Sequence, residues 1–422
     1  MRCERLTLTA APAAAAAGLR ALVPAPDTVQ ETVAEIIAAV RTRGDQALVE
    51  YTRRFDTDGT APPPLLVSDG ELDAAAQGLE GSVRAALQRA IENVRTVAAA
   101  GSGDGRATAV DLGSHRVLLR KAPVTAAAVY VPAGRAPYPS TVVMGVVPAR
   151  VAGVGEVAVC APPGRDGAVD PVLLGACRLA GASRVYRMGG AQAIAALAYG
   201  TESVASVDVI VGPGNLYVQE AKRQVFGQVG IEGFAGPSDL VVIADADSDA
   251  EPLALDLLAQ AEHGPGTLVV GISESAKLIE RLGARIDEAK DTGAVACLVE
   301  VADTDQALAL AQAFAPEHLQ LVGSRAEALA PRLTRAGCLF VGPASGTAFG
   351  DYIAGPSHIL PTAGAARFVS ALSPEHFLRA FAEVRIGDAD ELARVAAPLA
   401  RAEGFKLHAR SMEVRIRDNG RR

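Results

Sequence analysis

Tryptophan is absent from this chain of 422 residues, and all aromatics together make up only 4% of it. The apolar half of the sequence is therefore mainly alanine and branched aliphatic side chains, which must fill the core by close interdigitation rather than around large rings. Cysteine is scarce and dispersed. Cys3, Cys160, Cys177, Cys297 and Cys338 include no C-x-x-C pair. They offer neither a disulfide framework nor a cysteine zinc site, and they read as reduced thiols in a cytoplasmic protein. Positive charge is not in excess: the formal net charge of -8 gives no electrostatic footprint for nucleic acid or an acidic membrane surface. No run has the length and apolarity of a membrane span. The Ala-rich stretch at 10–17 lacks the Leu/Val/Ile-rich centre of a signal sequence, and Glu4 precedes it, so a helical or loose arm is expected there. No tandem repeat is visible. The G-x-G-x-x-G fingerprint is also missing, so any dinucleotide site must use another geometry.

The length calls for two or three domains. Residues 28–56 read as a helix pair joined near Arg43-Gly44-Asp45, with Val29, Val33, Ile36, Ile37 and Val40 at helical spacing. A second amphipathic stretch covers 70–100, followed by a loop at 101–105. The character changes from Ala126. Ala128-Val129-Tyr130-Val131 is a strand ended by Pro132. Two units then repeat one design, strand, glycine turn and helix: 183–199 around Gly189-Gly190, and 207–226 around Gly212-Pro213-Gly214-Asn215. That design builds parallel sheets, and the helix N-terminus behind the turn leaves free N–H groups for an anion. Further strands at 239–244, 267–272 and 295–301 alternate with helices at 251–262, 273–282 and 305–314. The boundary between the two sets falls near Pro237-Ser238. Residues 343–362 are rich in Gly, Pro and Ser without periodicity, the composition of a functional loop. The residues after Ser373 read as helical.

Six histidines are available for chemistry. Gln260 and His263 leave one face at the end of a helix that Gly264-Pro265 stops. A neutral imidazole there can bind zinc, but on spacing alone a simple interaction of His263 with the helix dipole is the commoner case. Glu317-His318 can supply two proton-transfer groups if the backbone curves enough to bring adjacent side chains together; an exposed Glu beside a partly buried His is again the commoner arrangement. Asp351 and His358 lie in the long loop, where metal binding, polar substrate contacts or plain turn chemistry are open. His408 sits in a basic terminal helix and is unremarkable by itself.

In order along the chain stand Arg43-Gly44-Asp45, Tyr130-Val131-Pro132 with Tyr138-Pro139-Ser140, Gly189-Gly190-Ala191-Gln192, Gly212-Pro213-Gly214-Asn215 and Glu220-Ala221-Lys222-Arg223. Gly236-Pro237-Ser238, Gln260-Ala261-Glu262-His263-Gly264-Pro265, Ala315-Pro316-Glu317-His318-Leu319 and Gly350-Asp351-Tyr352 follow, and Glu403 and His408 close the series. With these motifs the chain resembles the histidinol dehydrogenase family over nearly its whole length. The resemblance implies an α/β fold with two Rossmann-like parallel-sheet domains, an N-terminal arm (1–21) and a small helical C-terminal appendage (373–422) exchanged across a dimer. The first domain would be discontinuous (22–125 and 239–372), and the second (126–238) would carry the cofactor. It also implies oxidation of L-histidinol to L-histidine in two NAD-linked steps through an aldehyde, with one zinc per subunit of a homodimer. Gln260, His263, Asp351 and His408 match the zinc ligands, with His408 reaching in from the partner. Glu317 and His318 match the catalytic pair, Glu317 activating water and His318 acting as general base. Ser238, His358 and Glu403 match substrate contacts, and Tyr130, Gln192 and Asn215 match NAD contacts. Mixed Gln/His/Asp/His ligation suits a catalytic rather than a structural zinc.

Four positions depart from the family's usual residues: Asp239 for Glu, Ser357 for Asn, Ala133 for Gly and Gly145 for Asn. They motivate one alternative, a relative acting on another small polar amino alcohol or diol. A catalytically silent zinc-binding protein is a second alternative, against which the retained Glu317-His318 pair argues.

Overall fold

In the computed structural model, residues 1–23, 28–102, 107–132, 136–234 and 236–417 are described. Ala133 and part of the expected 101–105 loop lie outside them. The strands, in chain order, are β1 (Arg2–Thr7), β2 (Ala107–Asp111), β3 (His115–Pro123), β4 (Ala126–Tyr130), β5 (Glu156–Ala161), β6 (Arg184–Arg187) and β7 (Val209–Val211). They continue with β8 (Gly230–Ile231), β9 (Asp239–Ala244), β10 (Leu268–Ser273), β11 (Val295–Glu300), β12 (His318–Val322), β13 (Cys338–Val341) and β14 (Leu378–Ile386). Two sheets are wholly parallel: a six-stranded one in the order β1-β11-β10-β9-β12-β13 and a five-stranded one in the order β6-β5-β4-β7-β8. Strands such as Asp239–Ala244 and Leu268–Ser273 are buried at every position. Helices cover both faces of such a sheet, which is why the strands are continuous apolar runs with no alternation. The α/β class with two parallel sheets is therefore as the sequence reads.

The chain divides into two compact units, Met1–Ser102 with Val124–Phe377, and Gly103–Pro123 with Leu378–Arg422. Both parallel sheets lie in the first unit. The second contains an antiparallel sheet, β14-β3-β2, and the helices Asp390–Ala402 and Lys406–Glu413, which pack on each other.

Several expectations differ from this arrangement. Residues 1–21 are not an arm: β1 pairs in parallel with β11, and the helix Pro12–Arg20 packs on the helix Thr304–Phe314. An edge strand is recruited by its backbone, so a half-exposed sequence such as Arg2–Thr7 gives little apolar signal. Residues 28–101 pack against the five-stranded side, through contacts of Gln30–Arg43 with Gly190–Tyr199 and of Asp69–Gly78 with Pro171–Ala180, rather than joining 239–372. The amphipathic stretch at 70–100 is two helices, Asp69–Gly78 and Gly81–Gly101, separated by extended Leu79 and Glu80. After Ser373 the chain makes a 3-10 turn, Pro374–Phe377, and then a strand, because β14 finds a backbone partner in β3.

The helix pair at 28–56 forms as expected, as Gln30–Arg43 and Asp45–Phe55. Gly44 joins them at φ +53°, a left-handed conformation costly for other residues.

Candidate active site

Each crossover in a parallel sheet carries the chain back along a helix, so the helix C-terminus and the amino end of the next strand share one edge. On that edge of the six-stranded sheet the helix Ala250–Ala261 ends at Gln260 and His263. The helix Thr304–Phe314 ends just before Glu317, and His318 is the first residue of β12. Ser238 and Asp239 begin β9 beside them, since β9 and β12 pair with His318 opposite Leu240. At the opposite edge Asp245, just after β9, accepts the backbone N–H groups of Arg325 and Ala326 at 2.8 and 3.0 Å.

The curvature that a working Glu317-His318 pair requires is supplied by Ala315 at φ +50° followed by Pro316. Both side chains are buried, at 7% and 2% exposure, and converge. His318 Nδ1 lies 3.7 Å from Glu317 Oε2, and Nε2 lies 3.8 Å from Asp351 Oδ1. The imidazole also stacks on Phe340 with ring centroids 6.0 Å apart. Ser238 Oγ donates to Glu317 Oε2 at 2.5 Å and accepts from Gln260 Nε2 at 2.5 Å, tying the acid to the end of the helix that bears His263. Gln260 Nε2 lies 3.4 Å from His263 Nδ1. Ser238, His263, Glu317, His318, Asp351 and His358 line one cavity of about 450 Å³.

Burial dominates the electrostatics of this cluster. It pushes the Glu317 carboxyl well above the usual carboxylate range, and the neighbouring Asp239 adds to the effect. It lowers His318 to about 3, with His263 and His358 contributing, and it lifts Asp351 to about 6. The same burial keeps the His318 imidazole neutral.

His358 lies on the cavity wall, with its ring also held from within the chain. Its Nδ1 lies 3.0 Å from the carbonyl oxygen of Asp351, which can only accept, so Nδ1 carries the proton. Thr141 Oγ1 then donates to Nε2 at 3.2 Å. Both ring nitrogens are engaged within the chain, and His358 anchors the Asp351 loop. Glu403 and His408 belong to the second unit, at the end of Asp390–Ala402 and within Lys406–Glu413.

The five-stranded sheet offers its opposite edge. Connections leave β4 toward β5 on one side while β7 flanks it on the other, and ligands of open α/β sheets bind at the carboxyl ends of strands at such a switch point. Tyr130 ends β4, Gly212-Pro213-Gly214-Asn215 follows β7, and Gly190 opens the helix bearing Gln192. Tyr130, Gln192 and Asn215 line a second cavity of about 1030 Å³, and Asn215 and Pro132 also line the first. Gly212 sits at φ +118°, where a side chain would collide with the carbonyl oxygen of Tyr130. The Gln192 amide is buried, with neither its nitrogen nor its oxygen hydrogen-bonded, an orphan group turned toward that cavity.

Asp56 lines the same cavity, and burial raises its carboxyl to about 6. A folded-state value above the unfolded one means the proton is held more tightly in the folded protein. The resulting stabilisation is complete below about pH 4 and is lost as the pH rises through 6. Asp56→Asn is accordingly expected to raise the Tm at pH 7.5 and to leave it unchanged at pH 4. Equal shifts at both pH values, measured by thermal unfolding, would contradict the assignment.

Of the departures among the described residues, Asp239 touches the Glu317–His318 cluster, taking the Glu317 N–H at 2.7 Å. Ser357 Oγ accepts from Ile359 N within its own loop. Gly145 lies in the helix Pro139–Ala152, packed so closely on Val129 that a Cβ would clash. Arg20, Thr141 and the pairing of Lys222 with Glu232 are not marked as site features by any spacing in the sequence.

A family model for histidinol dehydrogenase matches residues 23–416. The histidinol dehydrogenase of Parasynechococcus marenigrum is 44% identical over 416 residues, covering 92% of this chain and 91% of its own. That of Ruegeria pomeroyi is 43% identical, covering 93% of each. The crystal structure of histidinol dehydrogenase from Elizabethkingia anophelis superposes with a TM-score of 0.89 at 28% identity, over 98% of both chains. With a match of this length in sequence and in fold, the chain belongs to the histidinol dehydrogenase family.

Proposed function

We infer that the chain is an NAD-linked oxidoreductase that converts L-histidinol to L-histidine. The observation that carries this is the meeting of a buried acid–imidazole pair with a dinucleotide-sized cavity at Asn215 and Pro132, on a chain of this family. Oxidising an alcohol to an acid takes two rounds. Each removes one hydride and one proton, with addition of water to the aldehyde between them. Neutral His318 takes the hydroxyl proton. Glu317, held by Ser238 and the Asp239 amide, orients the water and receives its proton. NAD supplies the hydride acceptor, and Tyr130, the unpaired Gln192 amide and Asn215 would hold it. Zinc supplies Lewis acidity toward the substrate's nitrogen and oxygen atoms.

The donor set of Gln260, His263 and Asp351 suits zinc, being an amide oxygen, an imidazole and a carboxylate gathered at one helix end and its facing loop. Among the described residues, no group of three or more His, Cys, Asp or Glu could hold a metal within a single chain. The fourth ligand is proposed to be His408 of a second copy. A homodimer also accounts for the second unit's exposed apolar side chains, Val395, Leu399, Leu407 and Val414. Ser238 and Glu403 are proposed to contact the substrate. A cytoplasmic location accords with three cysteines buried as free thiols. No helix among the described residues is long and apolar enough to cross a membrane.

The deciding assay supplies zinc, NAD and L-histidinol to the purified protein. About two NADH per histidinol are expected, with turnover lost on chelation and restored by zinc. Inactivity on histidinol together with oxidation of another amino alcohol would overturn the substrate assignment.

A further inference from the structure

The helix Pro12–Arg20, in a segment whose sequence predicts only an arm, ends with a cation directed at the acids beneath the catalytic pair. Arg20 Nη1 donates to Asp239 Oδ2 at 3.2 Å, and Nη2 donates to the carbonyl oxygen of Phe314 at 2.5 Å. The guanidinium also lies over the Phe314 ring, 3.9 Å from its centroid. Phe314 is the last residue of its helix, so Arg20 takes a carbonyl that the helix leaves free and sits at the negative end of its dipole. Ala315 and Pro316 then turn the chain into Glu317.

Asp239 is 2% exposed and is held from three directions. Its Oδ1 accepts the Glu317 N–H at 2.7 Å, its Oδ2 accepts from Arg20, and its own N–H donates to Glu317 Oε2 at 3.0 Å. Asp239 and Glu317 are therefore locked in a reciprocal backbone–carboxylate clasp. Two carboxyl groups buried so close repel each other when both are charged. Arg20 is the cation that the structure places on Asp239, and its contact with Phe314 fixes the turn from the other side.

We propose that Arg20 is a positioning residue for the aldehyde-oxidising step: it neutralises Asp239 and pins the Phe314–Glu317 turn, so that Glu317 stays aimed at the water it activates. The proposal rests on the reading of Glu317 given above. Arg20 itself touches neither cavity. Its effect passes through Asp239, and it should fall on the step that uses Glu317 rather than on substrate binding.

The test follows the two half-reactions separately in the zinc-loaded enzyme, with histidinol and with histidinal as substrates. Arg20→Met, which keeps the apolar stem over Phe314, is expected to slow histidinal oxidation at least tenfold. The histidinol-to-histidinal step and both KM values should stay within about threefold. Arg20→Lys should recover part of the loss. The double variant Arg20→Met with Asp239→Asn should also recover activity relative to Arg20→Met, because the neutral isostere keeps the acceptor for the Glu317 N–H but no longer needs a cation. Equal slowing of both steps, or a double variant no better than the single, would assign Arg20 a merely structural role and overturn the proposal. Glu317→Gln is run in parallel. If it loses the aldehyde step while Arg20→Met keeps it, the proposal alone falls; if it keeps that step, the reading of Glu317 falls and takes the proposal with it.

Discussion

His318→Asn is expected to lower kcat for histidinol about 10²–10⁴-fold, the usual contribution of a positioned general base, with little change in KM or in bound zinc. Asn approximates the imidazole in size and polarity, so the side chain is replaced without opening a void against Phe340. His318→Ala should lose as much activity and in addition leave that void, giving a lower Tm with the same metal content. The physical basis is the position of the ring between Glu317 at 3.7 Å and Asp351 at 3.8 Å, and the burial that keeps it neutral. Steady-state kinetics with metal analysis of the same samples decides the matter. Loss of zinc with the side chain would make His318 a ligand, and turnover within tenfold of the parent would remove it from the proton path.

Lys222→Met should have the largest effect on stability. Lys222 is fully buried, and its Nζ donates to Glu232 at 2.6 and 2.7 Å and to the Gly212 carbonyl oxygen at 3.1 Å. Glu232 also accepts the Gly212 N–H at 2.8 Å. Removing one member of such a pair leaves the other charged, desolvated and uncompensated, which costs about 3–5 kcal/mol. The damage should also reach function. Gly212 begins the turn that carries Asn215, which lines both cavities, and Glu232 lines the smaller one, so the KM values for NAD and for histidinol should both rise. Lys222→Met combined with Glu232→Gln is expected to regain much of the lost stability, since no unpaired charge then remains. Chemical denaturation of the three variants measures this. A single variant as stable as the parent would show the pair to be dispensable.

The local elements around the site were largely legible. Gly212-Pro213-Gly214-Asn215 after an apolar run announces a strand, a sharp turn and a helix, and the structure has β7, Gly212 at positive φ, and Asn215 capping the helix by accepting Val218 N. Gln260 and His263 announce one helix face followed by a stop. Apolar periodicity and turn chemistry act over a few residues, so they can be read from a window of sequence. β1, β3 and β14 were not legible for the converse reason. They are partly exposed strands held by backbone pairing, β1 to β11 and β14 to β3 across long stretches of chain, and no apolar pattern marks them.

The sequence by itself determined the α/β class, the helix and turn that present Gln260 and His263, and the motif series that assigns the chain to its family. Only the tertiary structure decided that Glu317 and His318 converge, because that depends on the left-handed Ala315 turn and on β12 lying beside β9. It alone decided that His358 spends both nitrogens inside the chain and that Arg20 reaches Asp239 across 219 positions of sequence. Strand order sets these meetings. Strand order is fixed by the joint burial of whole faces, a property of the assembled sheet that no local stretch of residues contains.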